Sequence, residues 1–79
     1  MATIPSNEAL ARELVAILHA DQLRPGDGNP TMAVRCQFGL SRPAVDFKAA
    51  IEEAAARGWI TCKADGSWIT ITEAGFAAA

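Results

Sequence analysis

The apolar positions of this chain follow a helical period from residue 10 onward. Leu10, Leu14, Ile17 and Leu18 fall on one face, Ala11 and Val15 widen the stripe, and Glu8, Arg12 and Glu13 lie away from it. Ser6 is placed to cap this segment, with Glu8 in the first turn where the helix dipole favours an acid. The pattern predicts a first helix over 7–22. Arg24-Pro25-Gly26-Asp27-Gly28-Asn29-Pro30 then breaks it. Asn29 as cap and Pro30 at the first helical position predict a short second helix over 30–38, with Val34 and Phe38 as its buried pair and Gly39 as its left-handed stop. Ser41 is placed to cap a third helix over 42–57, whose first turn tolerates Pro43. Phe47, Ile51, Ala54 and Ala55 share its inward face. Gly58 ends it, and Trp59 folds back on its last turn.

Beyond Gly58 the period changes from helix to strand. Residues 59–63 and 68–71 read as two strands joined at Asp65-Gly66, a strong hairpin signal, and Trp68, Ile69, Thr70 and Ile71 have the aromatic and β-branched character of a return strand. Thr72 is placed to cap a last helical turn over 73–77. An isolated hairpin is marginal in water, so the ribbon must pack on the helices. Trp59 and Trp68 are candidate core anchors. An exposed Trp68 would instead mark a binding hot spot. The expected architecture is α+β: three helices, a two-stranded β-hairpin and a short C-terminal helical stub, in one domain over 1–79 with an arm at 1–5 and a frayed end at 77–79. This is the element order of a winged helix-turn-helix, in which the second helix of the turn enters the DNA major groove.

Particular residues carry a further likeness. Leu23-Arg24-Pro25-Gly26-Asp27 through Pro30, then Phe38-Gly39-Leu40-Ser41-Arg42 and Val45, and the ending Gly58-Trp59-Ile60, resemble the DNA-binding head of GntR-type transcription regulators over about residues 10–60. The chain departs from that pattern in spacing on both sides of the turn. It has Thr31-Met32-Ala33 in place of the family's Ser-Glu-Arg, and Asp46 in place of an arginine. Thr70-Ile71-Thr72-Glu73-Ala74-Gly75 is closer to the end of MarR-type winged helices. The resemblance implies double-stranded DNA binding in transcriptional regulation, and the expected protein is a small stand-alone winged helix with no counterpart of such regulators' effector-binding or dimerising domains.

With Phe47 and Ile51 inward, the third helix presents Arg42, Val45, Asp46, Ala49, Glu52, Glu53 and Ala56, with Lys48 at the edge. Arg42 stands where a groove-reading residue belongs, suited to a guanine or a phosphate. Ser41 and Thr31, near helix starts, are candidate phosphate contacts, and Arg35 and Lys63 candidate flanking contacts. The same residues have plainer roles: Arg42 pairing with Asp46, Lys48 with Glu52, and Lys63 as a solvated strand residue. Small apolar positions framed by acids equally suit docking of a protein partner or a second copy of the chain.

Charge sharpens this choice. Seven Lys and Arg face nine Asp and Glu, a net charge of -2. Duplex binders draw affinity from neutralising phosphates, so an acidic balance weighs against strong binding unless cations cluster. Enzyme chemistry finds no support: His19 has no nucleophile partner, Asp27-Gly28-Asn29 lacks the later ligands of a calcium loop, and Gly26 and Gly28 do not make a phosphate loop. No cofactor and no metal is expected, since Cys36 and Cys62 are far apart and zinc spacing is missing. The two cysteines read as buried free thiols. No signal peptide is evident and no apolar run approaches the roughly 20 residues of a membrane span, so a reducing cytoplasm is the expected location.

Overall fold

The computed structural model describes residues 6–79. The arm expected at 1–5 lies outside the described residues. The chain forms α1 (Asn7–Ala20), β1 (Gly28–Pro30), α2 (Thr31–Phe38), α3 (Ala44–Ala56), β2 (Ile60–Cys62), β3 (Trp68–Ile71) and α4 (Glu73–Ala78). The class is α+β, with four helices and one antiparallel sheet among the described residues.

Local signals set several boundaries. Ser6 Oγ accepts from the Ala9 amide at 3.1 Å and starts α1. Thr72 Oγ1 accepts from the Gly75 amide at 3.1 Å and starts α4. Gly39, with φ +115°, closes α2 in a conformation that a side chain disfavours. Asp65 and Gly66 turn the β2–β3 hairpin: Asp65 Oδ1 accepts from the Ser67 amide at 3.0 Å and its hydroxyl at 2.7 Å.

Among the described residues the sheet has three strands rather than two, in the order β1-β3-β2. The segment read as a breaker loop runs extended: Gly28 pairs with Thr70, Asn29 with Ile69 and Pro30 with Trp68. Pro25-Gly26 turns the chain so that the Gly26 amide donates to Ile71 O and the Ile71 amide to Asp27 O, both at 2.9 Å. Pro30 is tolerated because β1 is an edge strand. Gly28 is required by packing. A Cβ there would stand 2.3 Å from Ile69 O and 2.5 Å from Trp68 Nε1, so the strand lies where only glycine fits.

Both helix starts near proline also differ from expectation. Pro30 is the N-cap of α2, not its first residue, and Asn29 spends its side chain on Asp21 at 2.7 Å. Pro43 is the N-cap of α3, so Ser41 and Arg42 belong to the preceding turn and no side chain caps the helix. The residue before a proline is driven out of the α region, which keeps Arg42 from being helical.

The core gathers Leu10, Leu14 and Leu18 of α1 with Val34 and Phe38 of α2, Phe47, Ala50 and Ala54 of α3, and Trp59, Ile60, Ile69 and Ile71. Ala50 replaces Ala55 in the inward set: Ala55 is exposed, and Ile51 is only half-buried. Phe38 and Phe47 meet edge-on with ring centroids 5.3 Å apart, locking α2 to α3. Trp59 is buried, whereas Trp68 is 37% exposed. α4 extends through Ala77 and Ala78, with Ala78 against the core, in place of a frayed end. Cys36 and Cys62 are both free and exposed, contrary to the buried reading, because Cys36 lies on the outer face of α2 and Cys62 on the outer strand β2. Among the described residues no helix is long and apolar enough to cross a membrane.

Candidate nucleic-acid interface

The turn between α2 and α3 is held by two arginines. Arg35, on α2, reaches over the turn with both guanidinium nitrogens: Nη1 donates to Gly39 O and Nη2 to Arg42 O, each at 2.7 Å. Its guanidinium also lies 5.5 Å from the centre of the Phe47 ring. One planar fork thus ties both ends of the turn to the first buried aromatic of α3. Within the turn the Arg42 amide donates to Gly39 O at 3.1 Å.

Arg42 points back into the molecule. Its Nη1 donates to a carboxylate oxygen of Glu13 on α1 and to Phe38 O at the end of α2. Its guanidinium lies 3.9 Å from the centre of the Phe38 ring. The side chain is 29% exposed. Asp46, the expected partner, is not the one used: the turn directs Arg42 toward α1, away from the outer surface of α3.

Thr31, the first residue of α2, is also engaged internally. Its hydroxyl donates to Gly66 O at 2.6 Å and its amide to Ser67 O at 3.0 Å. These bonds fasten the hairpin tip to the start of α2. Lys48 forms the i,i+4 pair with Glu52, loosely, at 3.8 Å and with both side chains exposed. Ser41 and Lys63 are exposed, Ser41 in the turn and Lys63 at the base of the hairpin loop. Among the described residues neither Lys63 nor Arg24 forms an ion pair.

The structure therefore brings Arg35 and Arg42 together at the turn and Thr31 to the hairpin tip. It leaves Ser41, Lys48 and Lys63 separately at the surface. Three residues not singled out for this region complete it. Glu13 is the partner of Arg42. Leu40, 65% exposed, joins the 72% exposed Val45 as a large apolar side chain in solvent at the same turn, and Met32, 70% exposed, stands at the other end of α2. Gly-Leu-Ser at the turn hints at Leu40, but the Glu13 contact has no local signature, since the pair spans 29 residues.

The other charged cluster braces the far end of α3. Arg57 donates to Glu53 at 2.7 Å and to Glu8 at 3.2 Å, Arg12 donates to Glu8 at 3.2 Å, and both arginines lie 5.2 Å from the centre of the Trp59 ring. The Arg12 hydrogen bond and the nearby Arg57 charge hold Glu8 below its ordinary carboxylate range. This network joins α1 to the end of α3 and consumes two more cations.

Among the described residues no pocket forms, and no group of three or more His, Cys, Asp or Glu converges. Comparison with protein-family models, with curated proteins and with solved structures finds no match to this chain.

Proposed function

We propose that this protein is a small winged helix-turn-helix module that binds double-stranded DNA, α3 leading with its N-terminal turn and the β2–β3 hairpin acting as the wing. The observation that carries this reading is the bracing of α2 between its two neighbours. Thr31 at its start holds the hairpin tip, and Arg35 near its end holds the turn into α3. Its eight residues span about 12 Å. The hairpin and the exposed start of α3 are thus tied to opposite ends of one short helix. Ala44, Val45 and Lys48 face solvent at the leading end of α3.

The roles within this reading change. Arg42, Arg35 and Thr31 build the frame. Phosphate contact falls to Lys48 and Lys63, with Ser41 as a neutral donor. Two cations release few counterions, so binding is weak and only modestly salt-dependent, with a slope of log K against log salt of roughly −2. A dimer or a partner would complete the positive surface.

Fluorescence anisotropy with a random-sequence duplex, titrated against salt, tests the reading. The expected result is measurable binding at low salt with that shallow slope, reduced by about one unit in Lys63→Ala. Absence of binding at low salt refutes it.

One observation favours a second reading. Leu40 and Val45 are large apolar side chains left in solvent around one turn, and Asp46, Glu52 and Glu53 lie along the same helix. This composition suits a protein-docking face, which is the reading that remains if duplex binding fails.

A further inference from the structure

We infer that α3 reads thymine, through apolar contact of Val45 and Leu40 with the 5-methyl group in the major groove. This inference rests on the DNA-binding reading and specifies its sequence preference.

The argument is one of elimination among the side chains that can meet a base edge. A purine is recognised by paired hydrogen bonds, from arginine or lysine to guanine and from asparagine or glutamine to adenine. Residues Ala44–Ala56 contain no arginine, asparagine or glutamine. Arg42 and Arg35 are held by Glu13, by main-chain carbonyls and by the Phe38 and Phe47 rings. Gln37 and Asn29 both donate to Asp21, at 2.8 and 2.7 Å. Lys48, loosely paired with Glu52, and Ser41 remain as single donors, and the half-buried Asp46 as a single acceptor.

What the turn and the first residues of α3 expose is apolar. Val45 is 72% and Leu40 65% exposed, and Ala44 also faces solvent. The N-terminal residues of a groove-entering helix are those that meet base edges. The apolar feature on a base edge in the major groove is the thymine methyl. The largest exposed side chains at this end of α3 are therefore the ones suited to the thymine methyl.

Replacing thymine by deoxyuridine removes that methyl and leaves every hydrogen-bonding group in place. The test compares binding of an A·T-rich duplex with its fully deoxyuridine-substituted counterpart, by anisotropy at low salt. Burial of one methyl corresponds to about fourfold in affinity, so loss of one or two contacts weakens binding by about 4- to 15-fold. Val45→Ala and Leu40→Ala, both at exposed positions and verified as folded by circular dichroism, shrink that difference without altering the salt slope. Equal binding of the two duplexes by the unaltered protein overturns the inference. So does discrimination that persists undiminished in both variants, since it would then report duplex flexibility. Binding to neither duplex refutes DNA recognition itself and assigns the apolar turn to a protein partner.

Discussion

Arg42 of the α2–α3 turn and Glu13 of α1 form an ion pair across 29 residues of sequence, with the Arg42 guanidinium stacked 3.9 Å above the Phe38 ring. The arginine that in a groove-reading helix would face DNA here closes the angle between the turn and the first helix. Removing it should therefore act on folding before it acts on binding. Arg42→Ala is expected to lower stability by about 1–2 kcal/mol, from the lost ring contact and the lost bond to Phe38 O. Arg42→Lys should recover only part of this, because an ammonium lacks the planar face. Urea denaturation measures both. The salt slope of duplex binding should stay unchanged in Arg42→Ala. Flattening by about one unit would show that Arg42 exchanges Glu13 for a phosphate.

Gly75 lies in α4 directly over the backbone of Trp59. A Cβ at this position would stand 2.1 Å from Trp59 O and 2.9 Å from its carbonyl carbon. Alanine normally favours a helix interior over glycine by about 1 kcal/mol. Here backbone blocks the added methyl, so α4 must shift away. Gly75→Ala is expected to destabilise the fold by about 1–3 kcal/mol. A raised thermal midpoint in this variant would show that α4 does not pack on Trp59 as described.

Stability should fall in acid through identifiable carboxylates. Glu8 sits below its ordinary value of 4.5, first through the Arg12 hydrogen bond and then through the Arg57 charge. Asp65 sits below 3.8, first through the Ser67 hydroxyl and then through the Ser67 amide. An acid whose pKa is lowered by folding stabilises the native state above its unfolded value and loses that contribution as pH falls through the folded value. The thermal midpoint should therefore be level from about pH 7 to about pH 5 and decline below about 4.5, in the region where these groups protonate. Glu8→Gln should flatten that decline. Both groups are exposed, so 1 M salt (where the screening length is about 3 Å) should weaken the Coulombic part of the Glu8 effect.

Both cysteines should be modified in the native protein. Cys36 and Cys62 are free and exposed, so alkylation without denaturant followed by mass spectrometry should find label on each. Partial burial pushes the Cys62 thiol above its ordinary 9.0. Its alkylation rate should therefore still be climbing beyond that pH, because the thiolate is the reactive form. Protection of either thiol in the folded state would contradict this arrangement.

Much of the secondary structure was legible because its signals are local. Ser6 and Thr72 cap the helices that follow them, Gly39 ends α2, Gly58 follows α3, and Asp65-Gly66 turns the hairpin. Each depends on a few neighbouring residues. The misreadings share a different cause. Gly28–Pro30 is a strand only because Trp68–Thr70 lies beside it, 40 residues along the chain. Three residues carry no period of their own, and Gly and Pro argue for a loop until a pairing partner is present. Pro30 was placed one position and Pro43 two positions too far into their helices, a difference settled by the extended conformation each adopts. Ala54 was read correctly as inward, but Ala55 was taken in place of Ala50, because alanine spacing alone cannot separate the two.

The candidate interface divides along the same line. The Lys48–Glu52 pair and the outward position of Val45 follow from helical spacing, which depends on residues three and four apart. The occupation of Arg35 and Arg42, the fastening of Thr31 to the hairpin tip and the exposure of both thiols do not. By itself the sequence determined where helices start and stop, where the hairpin turns and which faces are apolar, because bonding within a few residues decides those features. The tertiary structure decided the third strand and which arginines remain free for a partner, because a guanidinium takes whatever carbonyl, carboxylate or ring the packed elements bring within reach.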